Sequence, residues 1–173
     1  NVLTVTADGD GGNTDIEPGD ELLVAAPSRP LSDESVYFVM TDRFANGDAS
    51  NDTAGLAGDK FVNGFDPTDK GFHHGGDLAG LTAQPDYIAG LGVSAIWITP
   101  PFTNDYVQLA GGPGTASSSY HGYWQTDFTQ IDPHYGTNAE MVAFVDAAHA
   151  LGIKVLFDVV LNHTGDVISY EEA

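Results

Sequence analysis

Apolar positions in this chain gather into short unbroken runs, separated by stripes of helical spacing. Val36-Tyr37-Phe38-Val39-Met40 is a continuous run of strand length, fit for a strand buried on both faces. Val93-Ser94-Ala95-Ile96-Trp97-Ile98 is a second, stopped by Thr99-Pro100-Pro101. A third opens at Ile153 and runs into Phe157-Asp158-Val159-Val160-Leu161-Asn162-His163-Thr164-Gly165. Between the first two, Leu78, Leu81, Tyr87, Ile88 and Leu91 lie at helical spacing. Pro85 interrupts that stripe. Proline is tolerated in a first helical turn and disruptive deeper in, so the firm helix is expected to start near Pro85 and to end at Gly90 and Gly92. Between the second and third runs, Thr137-Asn138-Ala139-Glu140 is a capping box. Met141, Phe144, Val145 and Ala148 then form one helical face, and Gly152 ends the helix. The order strand, helix, strand, helix, strand predicts an α/β fold with parallel strands and right-handed crossovers.

Long connections leave the C-terminal ends of the strands, where ligands bind in parallel α/β sheets and barrels. One runs to Asp77 and is rich in Gly, Asn and Asp. Such a length is uncommon in a compact domain unless the loop has a task. Another holds Gly111-Gly112-Pro113-Gly114-Thr115-Ala116-Ser117-Ser118-Ser119, flexible in composition, and leads into Tyr120-His121-Gly122-Tyr123-Trp124. Residues 1–30 read as a peripheral segment. Val2-Leu3-Thr4-Val5-Thr6 suits a short strand. The loop from Asp8 to Asp15 lacks calcium-loop spacing and its closing glutamate, and Pro27-Ser28-Arg29-Pro30 reads as a linker.

Composition narrows the function classes. The chain has 173 residues and is 42 % hydrophobic, which suits one globular domain, residues 31–173. No run is long enough to cross a bilayer, no signal peptide is visible at Asn1, and thiol chemistry is excluded because there is no cysteine. The net charge of −20 is opposed only by Arg29, Arg43, Lys60, Lys70 and Lys154. Nucleic acid and anionic membranes are expected to be repelled, and hard cations attracted.

Three constellations carry candidate chemistry. Asn46, Asp48, Asn51 and Asp52, with Gly75 and Asp77 further on, place amide and carboxylate oxygens on a Gly-containing loop. They read either as calcium ligands or as a polar loop of Asx turns. The aromatic cluster Tyr120-His121-Gly122-Tyr123-Trp124 reads either as packing or as a surface that stacks on sugar rings. Asp158, Asn162 and His163 put three polar groups at the end of the third strand, and the Asn162 oxygen suits calcium.

Taken together, four stretches resemble the α-amylase family of glycoside hydrolases. They are the run from Tyr37 to Asp48, Gly75-Gly76-Asp77-Leu78, His121-Gly122-Tyr123-Trp124 and Asp158-Val159-Val160-Leu161-Asn162-His163. The resemblance covers roughly residues 35–170, in the family's order. The loop from Asn46 to Asp52 is most similar to that of cyclodextrin glucanotransferases and related bacterial amylases. This implies the N-terminal portion, about three βα units, of a TIM (β/α)8 barrel that is incomplete in this chain. Asn46, Asp48, Asn51, Asp52, Gly75 and Asp77 then match an N-terminal calcium site, and Asn162 a ligand of a second calcium. Tyr123 matches the aromatic platform under the sugar, with Trp124 supporting it. His121 and His163 match partners of the sugar's hydroxyls, and Asp158 a structural carboxylate that orients its neighbours.

The resemblance also implies what to expect elsewhere. The family cleaves α-glucosidic bonds with retention, using an aspartate nucleophile and a glutamate acid about 5–5.5 Å apart. These sit after later strands, so no catalytic residue is expected in this chain. A closed barrel needs eight strands and about 250 residues. The chain is therefore expected to be an inactive fragment of a secreted, calcium-dependent enzyme on starch or maltooligosaccharides, partnered by the rest of its barrel. The rival readings are a non-catalytic glucan-binding relative and a calcium-binding structural module.

Overall fold

A computed structural model of the chain describes residues 24–109 and 113–167. The strand expected at residues 2–6 and the loop at 8–15 lie outside the described residues. Three parallel strands form the central sheet in the order β1 (Val36–Val39), β2 (Ala95–Ile98) and β7 (Lys154–Phe157). The register pairs Val39 with Ile98 and Ile98 with Phe157. Strand order follows chain order, and both pairings are parallel, as the alternation of runs and stripes predicts.

Among the described residues four α-helices accompany the sheet: α1 (Lys60–Asn63), α2 (Leu78–Thr82), α3 (Pro85–Gly90) and α4 (Asn138–Ala150). The capping box of α4 is complete. The Thr137 side chain accepts from Glu140 N, and the Glu140 carboxylate accepts from Thr137 N. Met141, Phe144, Val145 and Ala148 of α4 meet Leu78, Leu81 and Ile88 of α2 and α3 over Val39, Ile96 and Ile98 of the sheet. The segment 78–91 departs from expectation. Pro85 does open α3 at its first turn, but a separate helix, α2, precedes it. Asp77 nucleates α2 by accepting from Gly80 N, a local cap that stabilises a turn too short to persist alone.

The other face of the sheet is open. Phe38 is 47 % and Trp97 41 % exposed, and their rings meet edge-on at 5.3 Å. In a barrel this face points to the interior. Residues ahead of β1 bind the end of α4 and the turn after it: the Val24 carbonyl accepts from His149 Nδ1, and Arg29 Nη2 donates to the Gly152 carbonyl. The linker therefore lies against the start of β7 and the end of α4.

The connection from β2 to α4 is more ordered than its composition suggests. It holds two antiparallel pairs, β3 (Phe102–Asn104) with β6 (Gln125–Ile131), and β4 (Val107–Leu109) with β5 (Ala116–Ser118). Residues 116–118, expected to be flexible, are thus strand. Small polar residues give no alternation to read, and the pairing comes from the partner strand.

Below the strand ends lies a buried polar layer. The His73 and His134 rings stack at 4.1 Å and 5°. His134 faces acceptors from both nitrogens: Nδ1 is 2.9 Å from Asp132 Oδ1, and Nε2 is 2.7 Å from the Asn63 carbonyl. Burial pulls His134 down, but Asp132, Asn63 and Asp42 together outweigh it and hold it above the ordinary histidine value. His73 Nδ1 donates to Asp42 at 3.0 Å, while its Nε2 is buried without a partner. Burial holds His73 low; Asp42 opposes this and the neighbouring His134 adds to it.

The two histidines give opposite pH limbs. As pH rises through the raised value of His134, the folded chain releases a proton that the unfolded chain has already lost, and stability falls. As pH drops through about 6.5, the unfolded chain takes a proton that folded His73 refuses, and stability falls again. The melting midpoint is expected to peak near pH 6.5, and His134→Gln to flatten the alkaline limb. Thermal melts from about pH 5 to 9 check this; an alkaline limb unchanged in the variant refutes it.

Candidate functional site

The three parallel strands end on the same rim, and each ends in polar residues. After β1 comes a single 3-10 turn, Thr41–Arg43; after β2 come Thr99 and Pro100; after β7 comes Asp158. The aromatic cluster is folded onto this rim. Tyr123 OH donates to Asp158 Oδ2 at 2.7 Å, and burial followed by this bond pushes the phenol up to about 12. The phenol is thus a fixed, protonated donor at any physiological pH. His163 Nε2 lies 3.0 Å from the Tyr123 carbonyl. That acceptor fixes the proton on Nε2 and leaves Nδ1 as an acceptor.

His121 completes the surface. Its Nδ1 accepts from Tyr123 N at 3.0 Å, which places the proton of the neutral ring on Nε2. Burial, with a contribution from His73, lowers its pKa and keeps it neutral. The His121 and Tyr123 rings stack at 5.7 Å and 24°. Trp124, expected to support Tyr123, instead meets His121 edge-on at 4.7 Å, so its ring supports the histidine. Its backbone is pinned by Asn104 Oδ1 on β3, at 2.9 Å from Trp124 N. The structure thus brings Tyr123, His121, Trp124, Asp158 and His163 together. The surface offers aromatic faces, an N–H donor and an imidazole acceptor, which is the chemistry of a polyhydroxyl ring with apolar faces. Asn162 stands one residue before His163, exposed, with no side-chain hydrogen bond among the described residues.

The second constellation assembles on the same rim. The Asp77 carboxylate accepts from Gly47 N at 3.0 Å, Asp48 N at 2.8 Å, Asn51 Nδ2 at 3.3 Å and Gly80 N at 2.6 Å. It therefore folds the loop of Asn46 to Asp52 onto the start of α2. Asn46 Nδ2 donates to Asp52 Oδ1 at 2.7 Å. Gly75 has a φ of +89°, and a Cβ there would overlap Asp52 Oδ1 and lie 2.5 Å from Asn46 Nδ2. Only glycine lets the backbone approach this pair so closely.

Three features test this loop as a cation site. Asn51 Oδ1 is buried without a partner. Burial raises the pKa of Asp52, and the charges of Asp77 and Asp48 push it further in the same direction. The donors are mixed amide, carboxylate and backbone oxygens, which suits a hard cation. Among the described residues no cluster of three or more His, Cys, Asp or Glu side chains could hold a metal. A cation here would thus rest on the asparagines and backbone carbonyls as much as on acids. The set fits.

Two features of the rim carry no sequence-based assignment: the stacked His73–His134 pair and Arg43. Both stand beside acids, Asp42 and Asp132, at strand and loop ends. In the sequence only Arg43, next to Asp42, and His134, two residues after Asp132, show that proximity; His73 lies 31 residues from Asp42.

A parallel-stranded α/β unit with an aromatic, hydrogen-bonding surface at its strand ends has the arrangement of the α/β barrels, whose sites crown the C-terminal rim. The Alpha amylase, catalytic domain family matches residues 38–173, and the chain belongs to the α-amylase family. It is 56 % identical over 117 residues to an α-amylase of Streptomyces lividans, covering 68 % of this chain and 12 % of that one. It is 46 % identical over 134 residues to a periplasmic α-amylase of Escherichia coli, covering 76 % of this chain and 19 % of that one. Among solved structures, the cyclomaltodextrin glucanotransferase CldA superposes with a TM-score of 0.68 at 43 % identity, covering 76 % of this chain and 26 % of that one. An α-amylase of Geobacillus thermoleovorans, solved with acarbose, superposes with a TM-score of 0.58 at 43 % identity, covering 80 % of this chain and 25 % of that one. The chain therefore spans about an eighth to a fifth of the curated relatives' lengths, and its fold is the N-terminal portion of a TIM barrel.

Proposed function

We propose that this chain is the glucose-cradling, cation-binding part of a retaining α-glucan hydrolase or glucanotransferase that works outside the cytoplasm on α-1,4-linked starch or maltooligosaccharides. The observation that carries this is the convergence of His121, His163 and Asp158 on Tyr123 at the strand ends. The relatives named above are α-amylases and a glucanotransferase, one of them solved with acarbose. Tyr123 stacks beneath a glucose unit, His121 Nε2–H donates to a hydroxyl, and His163 Nδ1 accepts from one. Asp158 acts through Tyr123 and touches no sugar. None of these residues is assigned the attack on, or the protonation of, the glycosidic bond; their role is to bind and orient the sugar.

Calcium is the proposed cofactor. Asn46, Asp48, Asn51, Asp52, Gly75 and Asp77 would hold it, and Asn162 would serve a second ion. Calcium held by these residues would offset the charge of the crowded carboxylates. An exported location suits a calcium-dependent protein and the periplasmic relative. Among the described residues no helix is long and apolar enough to cross a membrane.

Calorimetry and thermal melts with calcium and maltooligosaccharide test both parts. Calcium at about a hundred times its Kd is expected to add about 2.7 kcal/mol of stability, removed by a chelator. Tyr123→Ala is expected to weaken maltooligosaccharide binding about tenfold or more and to leave the calcium response intact. Sugar binding that survives Tyr123→Ala sinks the cradle. A chain that binds calcium and ignores sugar is a structural module.

A further inference from the structure

We infer that Arg43 is a positioning residue that holds the sugar-facing aromatic surface in register. Its guanidinium carbon lies 4.2 Å over the Tyr120 ring. Nη1 stands 3.0 Å from Asp42 Oδ2, and Nη2 donates to the Lys70 carbonyl at 2.8 Å. Asp42 is itself fixed: it is buried and also accepts from His73 Nδ1 and His74 N, at 3.0 and 2.9 Å. The cation is thus anchored to the end of β1 and to the following loop before it meets the ring.

The ring passes that position on. Tyr120 meets His121 edge-on at 5.2 Å, and its carbonyl accepts from Tyr135 OH at 2.8 Å. His121 in turn stacks on Tyr123 and abuts Trp124. A continuous row of contacts therefore runs from Asp42 through Arg43, Tyr120 and His121 to Tyr123. The planar guanidinium suits this place because it stacks on a ring while its edge makes the ion pair and the hydrogen bond. An ammonium at the same position supplies a point charge and no flat face. Arg43 touches no proposed sugar position and acts only through Tyr120. The inference rests on the reading of His121 and Tyr123 as a glucan surface.

The test uses the full chain in a Trp97→Phe background, which leaves Trp124 as the sole tryptophan. Trp124 emission without sugar and maltooligosaccharide affinity by calorimetry are read for Arg43→Met, Tyr120→Leu, Tyr120→Phe and the Arg43→Met/Tyr120→Leu pair. Arg43→Met and Tyr120→Leu are each expected to weaken affinity by about three- to tenfold and to shift Trp124 emission. The double variant is expected to be no weaker than the poorer single, because both remove one contact. Tyr120→Phe keeps the ring and is expected to match the unsubstituted chain. Losses that multiply in the double variant, or affinity and emission unchanged in Tyr120→Leu, overturn the inference. So does an Arg43→Met chain that melts lower with neither signal moved. If Arg43→Met does not fold, the contrast between Tyr120→Leu and Tyr120→Phe decides alone. A chain that binds no maltooligosaccharide refutes the glucan reading, and the sugar-free emission still decides the role of Arg43.

Discussion

Asp77→Ala is expected to lower the melting midpoint by roughly 10 °C. Asp77 is 0 % exposed, and its two oxygens serve four donors from three places: Gly47 and Asp48 in the loop, the Asn51 side chain, and Gly80 in α2. Losing a helix cap costs about 1 kcal/mol. Leaving further partly buried donors unpaired adds about 1–3 kcal/mol. The sum, about 2–4 kcal/mol, is a large share of the 5–15 kcal/mol that typically holds a domain, and at this chain length corresponds to roughly that temperature shift. Asp77→Asn keeps one acceptor and turns an amide toward Asp48 N, so it is expected to fall about halfway between. Calorimetric melts in calcium-free buffer check the order. An Asp77→Ala chain that melts like the unsubstituted one would show that the carboxylate is not the organiser of this loop.

The second large effect is expected at Gly122. It lies between His121 and Tyr123 with a φ of +84°, and a Cβ there would overlap the carbonyl oxygen of Pro100. Neither side can easily retreat. Thr99 N is bonded to Val39 O at 3.0 Å, which fixes the backbone before Pro100, and Gly122 N is bonded to Ser119 O at 2.7 Å. Gly122→Ala therefore combines left-handed backbone strain with a backbone clash, about 2–4 kcal/mol in all. Maltooligosaccharide affinity is expected to fall more than tenfold, because the displaced loop carries both rings of the platform. Melts and calorimetry on Gly122→Ala check this. Unchanged affinity would mean that the platform tolerates a shift at its own hinge.

The sheet was legible because each of its strands is an apolar run with no competing period. β1, β2 and β7 could be placed from Val36, Ile96 and Ile153 alone. The long helix was legible from its capping box, a local signal. What escaped was whatever depends on a distant partner. The β3–β6 ribbon is pinned at Asn104, whose backbone N–H bonds to Asp132 Oδ2 at 3.0 Å, and no sequence period announces such a pairing. The buried imidazoles escaped for the same reason: a histidine shows its burial only when its stacking partner is known. For the site, the family pattern singles out Tyr123 and the residues that contact it, His121, Asp158 and His163, while their contacts come from the fold. The reach of Arg43 to Tyr120 was not, since nothing local separates a clamping arginine from a solvated one.

The two rims differ in slack. Helix returns to strand through residues 91–94 and 151–153, while the opposite connections run through residues 40–77 and 99–137. Insertions and deletions can therefore accumulate on one end only, since the short turns leave no length to gain or lose without tearing strand from helix. A lineage built on this unit could diversify its ligand preference by trading loop segments and keep the framework untouched. Chimaeras joined at Gly92 or Gly152 should inherit their stability from the framework donor and their ligand preference from the loop donor.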